Sequence, residues 1–176
     1  MSVRYTFEKK MRIKLSKRDC FEAELLAQDT VYLIERFAGV EPKKVDGNIN
    51  TNTLGCKAEY AVARVLGTEL PKLNFLSDNG VDLWSGDVSI DVKYTTSEGG
   101  DLIFNTADNF KAMVAVLVSK TSQPNVMRIE GWTNKRDFVL LAKKKDFGYG
   151  ERMAMACKHL RPIEELWRKI TERKYA

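Results

Sequence analysis

The run Met113-Val-Ala-Val-Leu-Val-Ser119 constrains the fold of this chain more than any other stretch. It falls far short of the roughly 18 apolar residues that a membrane-spanning helix needs. It is rich in valine and lacks the apolar–polar alternation of a strand with one wet face, so it reads as a strand buried on both faces. Such a strand requires a covering layer on each side, and the chain offers amphipathic helices for the purpose. Ser16 can cap a helix over 17–37, with Asp19 in its first turn and Phe21, Leu25, Leu26, Leu33, Ile34 and Phe37 on one apolar face. A second helix over 54–66 gathers Leu54, Ala58, Ala61, Val62, Val65 and Leu66 before Gly67 stops it. Pro162 opens a last helix that runs to about Arg173.

Strand-like segments lie at 73–76, 81–84, 88–94, 102–104, 126–132 and 154–160, and Ser85-Gly86-Asp87 suits a hairpin turn between the second and third of them. A short helix is expected over 107–111, and Asn134 can cap another that ends near Lys143. Together these predict an α/β domain of three layers, a central mixed sheet flanked by helices. With 176 residues the chain can bury one core, so a single domain is expected over 1–176. Its expected parts are a basic arm, packing helix and long Gly/Pro/Asn-containing loop over 1–53, a core over 54–132 and a helical, basic extension over 133–176.

Several classes of function drop out. Residues 1–17 are studded with Lys and Arg instead of the apolar core of a signal peptide, and the chain contains no membrane-span candidate; a soluble, cytoplasmic protein is expected. Cys20, Cys56 and Cys157 are too far apart for a close-paired zinc or iron–sulfur motif and read as free, buried thiols. The single histidine, His159, removes most Ser-His-Asp and Cys-His schemes unless it is itself the base. Any metal site must therefore be built on carboxylates, and oxygen-only sites suit magnesium or manganese. The formal net charge of +5 suits a polyanionic partner, because each Lys or Arg beside a phosphate displaces a condensed counterion.

The chemistry-bearing residues gather around one hairpin. Along 88–94, alternation puts Val88, Ile90, Val92 and Tyr94 in one row and Ser89, Asp91 and Lys93 in the other. Asp82 precedes the turn, and Glu59 lies at the edge of the apolar face of helix 54–66. Two carboxylates converging beside an ammonium suit phosphodiester hydrolysis: acids hold a cation, and the ammonium orients the nucleophile or stabilises transition-state charge. By itself, an acid and a lysine two apart on a strand usually mark a solvated face with a weak ion pair.

Glu59 in a helix, Asp82 after Asn79-Gly80-Val81, and Asp91-Val92-Lys93 after eight intervening residues resemble the PD-(D/E)XK nuclease superfamily, the restriction-endonuclease-like fold, over residues 54–118. The chain departs from the pattern at Val81, where the superfamily's name has proline. The resemblance implies Asp82, Asp91 and the carbonyl of Val92 as metal ligands, Lys93 as the catalytic lysine, and Glu59 as an accessory acid that ligates metal or positions water. It makes 54–132 the catalytic core and implies a magnesium-dependent DNA endonuclease in which manganese substitutes. A structure-selective, junction-resolvase-like enzyme and a phage or mobile-element nuclease are both compatible. One small site per chain implies a homodimer for cutting two strands.

Thr95, Thr96 and Ser97 stand where similar nucleases place polar residues near the scissile phosphate, or are simply a frayed strand end. Lys143, Lys144, Lys145, Lys158 and Arg161, with Arg168, Lys169, Arg173 and Lys174, are candidates for a DNA-backbone surface or for solvated faces. Trp132 reads as packing, whereas Trp84 suits packing or base stacking. The alternative to an enzyme is a non-catalytic DNA-binding or assembly module that retains the nuclease fold.

Overall fold

The computed structural model describes residues 10–37, 49–72 and 80–174. Among them the elements run β1 (Met11–Lys14), α1 (Lys17–Phe37), α2 (Ile49–Leu66), β2 (Leu83–Ser85), β3 (Val88–Thr95), β4 (Leu102–Phe104), β5 (Val114–Lys120), β6 (Val126–Asn134), α3 (Lys135–Leu141), β7 (Lys143–Asp146), β8 (Glu151–Met155) and α4 (Ile163–Lys174). The apolar run falls where its composition requires: β5 is the middle strand of a five-stranded sheet ordered β1-β6-β5-β3-β2, and only its last residue, Lys120, is exposed. β3 runs parallel to β5 and the other neighbours are antiparallel, so the sheet is mixed. No helix among the described residues is long and apolar enough to cross a membrane.

Each face of this sheet carries its own core. The row Val88, Ile90, Val92 with Val114, Val116 and Val118 packs against Ala58, Ala61 and Val62 of α2 and Ile163 and Leu166 of α4. The opposite row, represented by Ala115 and Leu117, packs with Phe104, Phe110, Phe138, Met155 and Leu160. Phe104 and Phe110 stack at 4.7 Å between centroids, and Phe138 meets both edge-on. Each such side chain removed from water contributes about 1.5–3 kcal/mol, which makes the second core a substantial layer.

That second layer differs from the expected one. Helices cover one face, but the other is covered by α3 and a three-stranded antiparallel sheet ordered β4-β8-β7. The helix capped by Asn134, whose side chain accepts the Asp137 N–H at 2.8 Å, stops at Leu141, and Lys143–Asp146 turns into an edge strand paired with β8. Three consecutive lysines carry no periodicity, so only tertiary pairing decides their conformation. The basic arm likewise contains a strand, β1, which pairs with β6. The strand-like segment 154–160 begins earlier, as β8, and ends in a 3-10 turn at Cys157–His159. The segment 107–111 gives a 3-10 turn at Ala107–Asn109. The long loop is shorter than expected because α2 starts at Ile49; 38–48 and the strand candidate 73–76 lie outside the described residues.

Helix α1 begins as its sequence dictates. The Ser16 hydroxyl accepts the Asp19 N–H at 3.0 Å, while the Asp19 carboxylate accepts the Ser16 N–H at 3.1 Å. Its buried face is the expected one only in part: Leu26 packs against the core, but Phe21 and Leu25 do not belong to it. Ala23 and Ala27 are fully buried, with Cys20 close behind, whereas Phe21 is 61% and Leu25 42% exposed. Small residues let α1 approach α2, where Arg64 donates to Asp19 Oδ1 from both Nε (3.0 Å) and Nη2 (2.6 Å). The side chains of Leu33, Ile34 and Phe37 lie outside the described ones.

The pairing of β5 with β6 contains one irregularity. Leu117 faces Gly131, but Val118 faces Ile129, so Glu130 is an extra residue in β6. Gly131 has φ 142°, and the strand beyond it turns so that Trp132 bridges Arg161 and donates its indole N–H to the Pro162 carbonyl at 3.0 Å. Trp132, 3% exposed, is a packing residue.

Candidate functional site

The β2–β3 hairpin turns at Gly86, whose φ of 61° favours glycine, and this hairpin fixes the candidate residues. Because Ile90 and Val92 belong to the helix-side core, Asp91 and Lys93 point to the face covered by β4. Asp91 is 1% exposed. Lys93 Nζ lies 2.6 Å from Asp91 Oδ1 and 5.0 Å from the centroid of the Phe104 ring. A buried carboxylate is costly unless a cation accompanies it, and Lys93 supplies that cation while 38% of its own side chain stays exposed. The ammonium is thus anchored at one end and open to solvent at the other.

Asp82 stands just ahead of β2. Its N–H bonds to the Ile90 carbonyl at 2.9 Å, and its Oδ2 accepts the Val92 N–H at 2.6 Å. The second carboxylate therefore lies along the strand between Asp91 and Lys93. A strand residue's N–H and C=O point to the same edge, so the Val92 carbonyl is directed toward Asp82 as well. Glu59 sits on α2, which packs on the opposite face of β3 from the Asp91–Lys93 row. What joins it to the hairpin is Cys56: burial, with the charges of Glu59 and Asp82 adding to it, pushes this thiol up to about 12. The structure thus brings Asp91 and Lys93 into contact and links Asp82 to them through Val92, while Glu59 and Asp82 each act on Cys56.

Among the described residues, no three His, Cys, Asp or Glu side chains form a group that could hold a metal ion. Two aspartates and a main-chain carbonyl nevertheless fit the chemistry of a hard cation that is held by one or two carboxylates and completes its shell with water and phosphate oxygens. A cleft of about 610 Å³ opens beside Asp82, bounded among the described residues by Thr68, Pro71, Lys72, Leu83, Trp84 and Gly86. Trp84 is 59% exposed there, which removes it from the core.

The other candidates separate by environment. Thr95 ends β3, and its hydroxyl accepts the Ser97 N–H at 3.3 Å, so Thr95, Thr96 and Ser97 build a turn. Lys143, Lys144 and Lys145 are exposed on β7, and Lys158 and His159 are exposed in the 3-10 turn before α4. Arg161 is engaged in packing: it donates to Asp137, and its guanidinium lies 5.4 Å over the Trp132 ring. Cys20 and Cys157 are buried and Cys56 is half-buried, all three free.

A polar centre that sequence reasoning missed surrounds Glu130, which is 2% exposed. Its carboxylate accepts from the Gly99 N–H at 2.9 Å, the Ser119 hydroxyl at 2.7 Å and the Cys157 thiol at 3.3 Å. Lys10 Nζ lies 2.9 Å away and Arg128 Nε 3.3 Å away. A glutamate inside an apolar strand and directly before a glycine was the available signal, since that pairing often marks a bulge. Burial alone would raise the pKa of Glu130, but the Gly99 N–H, Lys10, Ser119 and Cys157 outweigh it and hold the value at about 2, below its ordinary 4.5.

A depressed carboxylate pKa contributes stability that is complete above the unfolded value and is lost as pH falls through the folded one. The expected window is therefore pH 4.5 down to about 2, with a contribution of about 3 kcal/mol at neutral pH. Urea titrations at stepped pH should show wild type weakening across that window, while Glu130→Gln starts weaker at pH 7 and changes less. An identical pH slope in the two proteins would contradict the assignment.

No family model, curated protein or solved structure matches this chain.

Proposed function

We propose that this chain is a metal-dependent DNA endonuclease of the PD-(D/E)XK, restriction-endonuclease-like kind. The observation that carries the reading is the contact of Lys93 with Asp91 at 2.6 Å, with the Asp82 carboxylate on the N–H of the residue between them. Asp82, Asp91 and the Val92 carbonyl would hold magnesium, or manganese in its place. When bound, the ion polarises a phosphate oxygen and acidifies water. Lys93 meets the negative charge that builds on the non-bridging phosphoryl oxygens as a water oxygen, giving up its proton to solvent, bonds to phosphorus and the bond to the leaving oxygen, which takes a proton from solvent, breaks. Its anchoring by Asp91 and Phe104 keeps the ammonium from reorienting during that step. Glu59 would serve as the accessory acid that ligates metal or positions water, a role that needs it to reach past the helix-side face of the sheet on which α2 packs.

Cutting two strands with one site per chain calls for a homodimer, and exposed Phe21, Leu25 and Tyr32 on α1 offer apolar surface for it. The test is incubation of the full chain with plasmid, flap and four-way-junction DNA, with and without magnesium or manganese. Metal-dependent cleavage of at least one substrate is expected; cleavage of none removes the reading.

A second reading is a non-catalytic DNA-binding module, favoured by the deep burial of Asp91 and by the position of Glu59 on the opposite side of the sheet. Tight DNA binding without cleavage, unaffected by Asp91→Ala at every metal concentration, would establish it.

A further inference from the structure

The β7–β8 hairpin has a composition that neither core nor catalysis requires. Lys143, Lys144 and Lys145 are all exposed on the outer strand of the small sheet. At the tip, Phe147 and Tyr149 stack with centroids 6.1 Å apart, and the Arg152 guanidinium lies 5.0 Å over the Tyr149 ring. Tyr149 is 67% exposed. Gly148 and Gly150, at φ 86° and 110°, flank it, and the Gly148 N–H bonds to Asp146 Oδ1 at 2.8 Å, which fixes the turn. Lysines on an edge strand can serve merely to prevent strand-to-strand aggregation. That role does not account for a ring pair displayed at the tip and backed by a guanidinium.

The hairpin is also in register with the candidate site. Phe104, which supports Lys93, faces Met153 on β8, and Met153 faces Lys144 on β7. Directly opposed residues point to the same side of a sheet, and neighbouring strands lie about 4.8 Å apart, so Lys144 overhangs the Lys93 side roughly 10 Å from Phe104. That distance is a nucleotide or two along a backbone.

We propose that this hairpin is a nucleic-acid-engaging ribbon: Lys144 meets a phosphate on the Lys93 side, Lys143 and Lys145 add positive charge on the other face of the ribbon, and the Phe147–Tyr149 stack receives an unpaired base. The ligand class is DNA with an unstacked or single-stranded segment, since a base that has left the helix offers its face to an exposed aromatic ring without the cost of unstacking a duplex step. This rests on the nuclease reading for its substrate and deepens it from DNA in general to DNA with unpaired bases.

The experiment measures binding of the full chain to a gapped duplex carrying 2-aminopurine in the gap and to the intact duplex. Wild type should bind the gapped DNA more tightly and quench 2-aminopurine. Phe147→Ala/Tyr149→Ala should abolish quenching and weaken gapped binding by roughly tenfold or more while leaving intact-duplex binding unchanged. Lys143→Ala/Lys144→Ala/Lys145→Ala should weaken both and flatten the salt dependence by about 0.9 for each phosphate no longer neutralised. Circular dichroism and melting curves matching wild type confirm that these exposed changes leave the fold intact. If the tip variant binds and quenches like wild type, or wild type does not prefer the gapped DNA, the inference is overturned. The nuclease reading is judged separately by cleavage. A tip variant that no longer binds gapped DNA tightly, in a protein that cuts nothing, supports the ribbon and removes the nuclease. Normal quenching by the tip variant in a protein that cuts in a Lys93-dependent way does the reverse.

Discussion

If the chain is the nuclease proposed above, Lys93→Ala should lower metal-dependent DNA cleavage by at least about a hundredfold while leaving DNA affinity within a fewfold of wild type, as expected when one preorganised charge donor is removed. Lys93 touches the buried Asp91 carboxylate and the Phe104 ring, and its ammonium is the one charge donor that the change removes, so the loss should fall on the chemical step. The same change takes away the cation beside Asp91, and removing one member of a buried pair can cost stability as well as activity. The double variant Asp91→Asn/Lys93→Ala separates the two effects. It removes the carboxylate's charge together with the cation, so its melting temperature should recover toward wild type while cleavage stays absent. Cleavage by Lys93→Ala at the wild-type rate, measured on plasmid under single-turnover conditions, would remove this lysine from the chemistry.

The largest loss of stability should come from Gly131→Ala. A Cβ at this position would stand 2.5 Å from the Arg161 carbonyl oxygen and 2.9 Å from Leu160 Cβ, while φ is 142°. Strained backbone costs about 1–3 kcal/mol and overpacking a similar amount, so about 3–5 kcal/mol is expected together. For a chain of this size that is a fall of roughly 6–20 °C in Tm. Gly148→Ala is the control: its φ of 86° is equally unusual, but nothing lies within 4 Å of the added Cβ, so it should lose only the conformational part. Equal melting temperatures for the two variants would show that the close approach to Arg161 does not govern the effect.

These two sites also show what a sequence can and cannot convey. The alternation around Asp91 and Lys93 was legible because one apolar row and one polar row survive intact in β3. The valine-rich run announced β5 for the same reason. Ser16 and Asn134 were legible as caps, since the chemistry of a cap is local. What could not be read depends on distant partners. Phe21 and Leu25 share helical spacing with buried residues, yet Ala23, Ala27 and Leu26 face the core, because the docking of α1 on α2 decides which stripe is covered. Lys143, Lys144 and Lys145 form a strand only because β8 is there to pair with them. Glu130 is tolerated inside a strand because residues as far apart as Lys10, Gly99 and Cys157 converge on it. The side of the sheet that Glu59 occupies follows from how α2 packs, which its own periodicity does not encode.

The pairing of β1 with β6 sets the order in which the sheet can be completed. Met11 lies opposite Ile129 and Lys14 opposite Val126, so among the described residues β1 pairs with a strand more than 100 residues further along the chain. Contacts this remote in sequence raise contact order and slow folding. During translation the β6 edge emerges with open hydrogen-bonding groups, and it is closed by a segment that left the ribosome long before. Lys10, beside β1, brings its charge to Glu130 in the same event, so docking of that strand adds a second cation to the one that Arg128 already supplies from β6 itself.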